Sequence, residues 1–161
     1  MANSNLFKKV RRDSDSQDVR DLSKPFLKEI GIETTEHFEF IDITKQVASA
    51  VKESGKTDGY VLVYSRHTTS GIHISENEPN LLKDMQEFFE EKVPKTGVYW
   101  HNFNNVDGRE NAHSHIMAMM VQNSTIIPLK DSKMMLGEWQ SVFFIEFDGP
   151  RKNRHFVVQV G

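Results

Sequence analysis

Apolar positions are sparse through the first two dozen residues, MANSNLFKKVRRDSDSQDVRDLSK, and dense from Pro25 onward. A charged stretch without apolar periodicity cannot bury enough surface to fold, so residues 1–24 are expected to form a polar N-terminal extension and 25–161 a single domain. The KKVRR run inside that extension is followed by acidic residues and reads as a solvated arm.

Beyond it, FLKEIGIETTEHFEFIDIT alternates aromatic and β-branched residues around a Thr-rich turn, which predicts a hairpin. KQVASAVKES, with Val47 and Val51 four apart, predicts a short helix capped by Thr44 and stopped at Gly55. GYVLVYSRHTTSGI is apolar on both faces and predicts a strand central in its sheet. In NEPNLLKDMQEFFEEKVP, Pro79 suits a first helical turn, Leu81, Leu82, Met85, Phe88 and Phe89 recur at helical spacing, and Pro94 ends the run. A second helix is expected over about Ala112 to Gln122, with Asn123 as its C-terminal cap. STIIPL, KMML, WQSVFFIEFD and HFVVQVG then read as strands, separated by the KDSK and DGPRKN turn clusters. Strands interleaved with two or three helices and ending in antiparallel-looking runs predict an α+β fold, not a doubly wound parallel sheet.

Composition narrows the chemistry. The 161 residues are 37% hydrophobic with eleven Phe, enough for one packed core. There is no cysteine, which removes disulfides, thiolate nucleophiles and Cys-ligated zinc, so any metal must sit on His and carboxylates. A net charge of -3 provides no field to gather nucleic acid or an anionic membrane. No apolar stretch is long enough to span a bilayer and no secretory signal is evident, so the expected location is the cytoplasm. Neither G-x-G-x-x-G nor the P-loop motif occurs, which removes the nucleotide cradles built on them.

Five of seven histidines, His67, His73, His101, His113 and His115, fall in the middle third of the chain. Imidazole is both a common metal ligand and a group that titrates near neutrality, so convergence of these residues would make a site. His37 and His155, beside aromatic residues at strand starts, read as partly exposed fillers. His113 and His115 face the same way on a strand but diverge by about 200° on a helix. Ile116, Met119 and Met120 have helical spacing, so a helix starting by Ala112 lets at most one of the two point into a given site. Glu76, Glu78 and Asp84 are the nearby carboxylates, and acidic residues there also complement a helix dipole. Arg66, Arg109, Arg151 and Arg154 are the candidates for gripping an anion.

Several phrases are more specific: HTTSGIHISENE at 67–78, YWHN at 99–102, NAHSH at 111–115, LGEWQ at 136–140 and DGPRKNR at 148–154. In this order and spacing they closely resemble the YjbQ-like family, whose members are labelled secondary thiamine-phosphate synthase, over about Phe26 to Gly161. The resemblance implies a compact α+β domain of mixed sheets, a homotrimer, and a metal in a histidine-lined cleft. Matched motif by motif, the implied ligands are His67, His101 and His115, while His113 falls at a variable position. Asn77, Glu78, Trp139 and Gln140 match further signatures and are expected in the same pocket. The implied reaction joins a hydroxymethylpyrimidine diphosphate to a thiazole phosphate with release of pyrophosphate. In that reading Glu78, Gln140 and Arg109 are catalytic and Arg66, Asn77 and Trp139 bind substrate. Three histidines favour Zn²⁺ or another transition metal, whereas diphosphate chemistry commonly uses Mg²⁺. That mismatch leaves two further readings, a metal-dependent hydrolase or lyase in which Glu78 moves the proton, and a trimeric small-ligand or metal-binding protein without turnover. The chain departs from the family pattern in its N-terminal arm and in Ser132, where glycine is common.

Overall fold

The computed structural model describes residues 24–161; the polar stretch expected to be an extension lies outside them apart from Lys24. The elements are β1 (Phe26–Thr34), β2 (Glu39–Asp42), α1 (Thr44–Ser54), β3 (Gly59–Ser65), β4 (Ser70–Glu76) and α2 (Pro79–Lys92). They continue with α3 (Trp100–Phe103), α4 (Ala112–Met120), β5 (Ser124–Lys130), β6 (Lys133–Met134), β7 (Gln140–Glu146) and β8 (Arg151–Val160). The strands form two sheets, β1-β8-β3-β5-β6 and β2-β7-β4, with every pairing antiparallel. This is an α+β domain, as the element pattern predicts.

The central strand of the smaller sheet, β7, is buried on both faces over most of its length, which explains its uninterrupted apolar text. Val142 and Phe144 face a core shared with α1 and with the inner face of the larger sheet, through Val47, Val51, Val63, Ile127, Phe156 and Val158. Phe143 and Ile145 face the opposite way into a second core with Phe38, Val93, Met117 and Phe147, against which α2 and α4 lean. Fully burying side chains of this size contributes about 1.5–3 kcal/mol each. α2 is amphipathic but shallow: Leu82 and Phe89 pack on that second core while Phe88 stays half exposed.

Four expectations are corrected. The Thr-rich turn does not close a hairpin, because β1 pairs with β8 and β2 with β7, in different sheets. The run from Gly59 to Ile72 is not one strand: β3 ends at Ser65, and β4 starts at Ser70 in the other sheet, with the two serine hydroxyls 2.5 Å apart across the turn. Thr44 does not cap α1; its hydroxyl accepts the Val142 amide, while the Asp42 carboxylate accepts the Thr44 amide. Finally, α4 stops at Met120, because the Gln122 and Asn123 carbonyls accept the amides of Ile72 and Ser65. That approach needs Gly71, where an added Cβ would lie 2.3 Å from Val121 Cγ2. The short α3 was not expected from the sequence, whereas Gly55 does end α1 in the left-handed conformation and Pro79 does open α2. Among the described residues, no helix is long and apolar enough to cross a membrane.

Candidate functional site

Where β3 leaves the large sheet, its continuation Arg66-His67-Thr68 forms one wall of an open cavity of about 830 Å³. His115 from α4 and Asn123 and Ser124 at the start of β5 form the facing wall. The size suits a small molecule, and loops leaving a rigid sheet commonly carry such sites. Arg66 is steadied by Glu29, whose carboxylate accepts from the guanidinium at 3.2 Å and from His155 Nε2 at 3.0 Å. His67 Nε2 accepts the His155 backbone amide at 3.0 Å. Burial, then the Arg154 guanidinium and His155, hold the His67 imidazole below its ordinary pKa. Arg66 places a permanent positive charge on this wall.

α4 separates the two histidines of its first turns as helical geometry requires. His115 lines the cavity and also an adjoining groove of about 440 Å³, formed with Val98, Tyr99, Trp100 and His101. The His101 and His115 rings meet edge to face with centroids 5.1 Å apart. His113 is instead only 1% exposed, with its Nε2 3.0 Å from His37 Nε2 and 3.2 Å from the Ser114 hydroxyl. Burial first, then His37 and Lys95, lower its pKa to about 4. Its Nδ1 is buried without a partner, as is Asn111 Oδ1, whose amide nitrogen donates to Asp148. His37 is partly exposed as expected, but its bond to His113 makes it more than a filler, and its own pKa is lowered chiefly by burial.

Two groups of expected site residues lie away from this cavity in the single chain, and Arg154 is near it but sealed in the interior. Asn77, Glu78, Trp139 and Gln140 gather at the opposite end of β4, where Glu76 pairs with Gln140; Ser70, at the cavity end, pairs with Glu146. Six residues of strand separate those ends, about 20 Å at 3.3 Å per residue. There Glu78 caps α2, its carboxylate accepting the amides of Asn80 and Leu81, bonds that lower its pKa. Asn77 donates to Asp42, Gln140 Oε1 accepts the Gly137 amide, and Trp139 is 69% exposed. Arg109 lies 3.8 Å from Asp148, which also holds Arg151. Arg154 is not an anion grip: it is buried in a two-pronged pair with Glu146, both contacts at 2.5 Å. The Thr34 hydroxyl and the Phe147 and Asp148 amides complete the shell of that carboxylate, and Arg154 Nη2 donates to the Thr69 hydroxyl as well. The single charged residue inside FFIEF is the sequence signal for this pair.

A three-histidine metal centre needs three imidazole lone pairs aimed at one point. Among the described residues no group of three His, Asp or Glu side chains comes together to hold an ion. His101 and His115 supply a pair, and His67 stands on the other wall with Nε2 already engaged. One chain by itself therefore does not bring three imidazoles to one point.

The chain is 41% identical over 129 residues to a UPF0047 protein of Methanothermobacter thermautotrophicus, covering 80% of this chain and 87% of that one. It is 36% identical over 136 residues to UPF0047 protein YugU of Bacillus subtilis, covering 84% and 99%. Among solved structures it resembles a YbjQ-like protein of unknown function from Sulfolobus solfataricus, with TM-score 0.79 and 33% identity over 84% of this chain and 96% of that one. An uncharacterized conserved protein of the same family from Clostridium acetobutylicum matches with TM-score 0.75 and 37% identity over 83% and 99%. The family model described as UPF0047 protein YjbQ-like matches residues 28–161, and the chain belongs to that family.

Proposed function

We propose that this chain is an enzyme acting on a small phosphorylated molecule in the cavity between the 66–68 turn and α4, as a thiamine-phosphate-synthase-like transferase. The observation that carries this reading is the lining itself, in which Arg66, His67 and His115 stand with Thr68, Asn123 and Ser124 around one space. In the reaction, the thiazole nitrogen attacks the methylene carbon of a hydroxymethylpyrimidine diphosphate, that carbon's bond to oxygen breaks, and pyrophosphate leaves. A leaving diphosphate demands preorganised positive charge and hydrogen-bond donors. Arg66 supplies the charge, and imidazole and hydroxyl groups supply donors. Asn77, Glu78, Trp139 and Gln140 can join this cavity only if a neighbouring copy brings them, which is the role the expected homotrimer plays in this reading; Arg109 would act from the Asp148 loop.

The test is an assay with the two phosphorylated substrates. Thiamine phosphate should form and fall at least about tenfold in Arg66→Ala, the loss of one charge-assisted contact. No product above a heat-killed control, across Mg²⁺, Mn²⁺ and Zn²⁺, overturns the transferase reading. Saturable binding without product would instead identify a ligand-binding protein.

The adjacency of the His101 and His115 rings favours a second reading, a hydrolase or lyase that uses a divalent transition metal held by that pair. Bound metal would polarise a substrate oxygen or activate water. Metal analysis of the purified protein should then find an ion that His101→Ala and His115→Ala each lose, and an ion content unchanged in both variants overturns it.

A further inference from the structure

The last residues of β3 set up an unusual use of one imidazole. Ser65 is the final β3 residue to pair with β8, opposite Phe156. The next β8 amide, that of His155, finds no strand partner on that side and donates instead into His67 Nε2 at 3.0 Å. The His67 ring thus replaces a strand carbonyl. Its position is held from other sides too, since its own amide donates to Ser65 Oγ at 3.3 Å and the His155 ring packs edge-on, centroids 4.5 Å apart.

This bond fixes the tautomer. A nitrogen that accepts a backbone N–H carries no proton, and a neutral imidazole keeps its one proton on the other nitrogen. Here that is Nδ1, which then has no lone pair for a metal ion. Metal on Nε2 would displace the His155 amide, and metal on Nδ1 would require an imidazolate. Nδ1 is not among the buried unpartnered atoms, and the residue lines the cavity beside Arg66 and Thr68.

We propose that His67 is not a metal ligand but a neutral imidazole locked in its Nδ1–H form, presenting that N–H to an anionic oxygen of the molecule bound in the cavity. The donor role rests on the small-phosphorylated-molecule reading above; the tautomer does not. Any metal the protein holds then sits on other residues.

Nitrogen-15 NMR of full-length protein labelled at histidine and arginine, near pH 7, tests each part. Without ligand, His67 should show a protonated Nδ1 and a bare Nε2, and added Zn²⁺ should leave both unchanged; an Nε2–H form, or a metal-shifted Nδ1, overturns the proposal. Pyrophosphate should then move the Nδ1 signal. By calorimetry, His67→Gln keeps an acceptor for the His155 amide but loses the Nδ1 donor, and should bind pyrophosphate about tenfold more weakly or worse. His67→Asn places an amide N–H where Nδ1 stands and should stay within about threefold of the wild type. Pyrophosphate that perturbs Arg66 and His115 but not His67 overturns the donor role and leaves the site standing. Pyrophosphate that perturbs none of them overturns the substrate reading and the donor role together.

Discussion

Two sides of one short helix use the same side chain in opposite ways. On the inner side of α4, His113 is buried against His37 and Ser114, a fixed link between the segment before β2 and the helix. On the outer side, two residues later, His115 faces a cavity large enough for a ligand and meets the His101 imidazole edge to face. The arginines repeat the contrast, with Arg154 sealed onto Glu146 and Arg66 resting on Glu29 at the open wall. Residue type alone does not separate structure from function here; what separates them is burial, with His113 and Arg154 sealed in the interior and His115 and Arg66 lining the open cavity.

The sharpest way to break this contrast is to remove one buried charge. Glu146→Gln leaves the Arg154 guanidinium uncompensated in the interior and should cost about 3–5 kcal/mol in urea unfolding. Glu29→Gln at the open wall should cost under about 1 kcal/mol, because both partners are well solvated. Equal losses would mean that the two arginines are not in different environments.

Acid provides the next test. The folded pKa of His113, about 4, lies below its unfolded value of 6.5, so the unfolded chain binds more protons between them. Its contribution to stability is therefore complete above pH 6.5 and disappears as the pH falls to about 4. It amounts to about 3 kcal/mol. His37 and His67, also lowered, act in the same direction. Urea midpoints measured from pH 7.5 to 4 should fall, and the slope should flatten in His113→Leu.

A smaller effect is expected from the histidines compared directly. His113→Leu leaves His37 Nε2 without its partner and should cost about 1–3 kcal/mol. His115→Leu should change stability by less than about 0.5 kcal/mol while weakening pyrophosphate binding. The smallest change in stability belongs to Arg66→Ala, within about 0.5 kcal/mol by thermal unfolding, although it should remove the most affinity for an anion.

The split between His113 and His115 is legible in the sequence, because IMAMM carries helical periodicity and a helix cannot point both rings one way. So are the Glu78-Pro79 start of α2 and the central place of β3. What periodicity does not carry is pairing between distant segments. β1 and β2 are adjacent in the chain yet enter different sheets, and His37 reaches across 76 residues to His113. The family phrases mark residues that recur together without giving the distance between them, so Glu78 and His67 fall in one phrase but at opposite ends of β4. His67 itself shows the limit of motif reading: its nitrogen is taken by an amide from a strand 88 residues further along.

The place of β8 between β1 and β3 sets an order of assembly. Phe26 pairs with Val160, so β1 leaves the ribosome long before its partner exists. Until β8 emerges, β1 has an open edge and β3 can pair only with β5, a state that exposes backbone donors and invites association between nascent chains. Such long-range closure is slow, in the millisecond-to-second range of strand-dominated domains. A growing chain thus spends most of its synthesis without the strand that completes its larger sheet, and the His155 amide that orients His67 arrives with that strand.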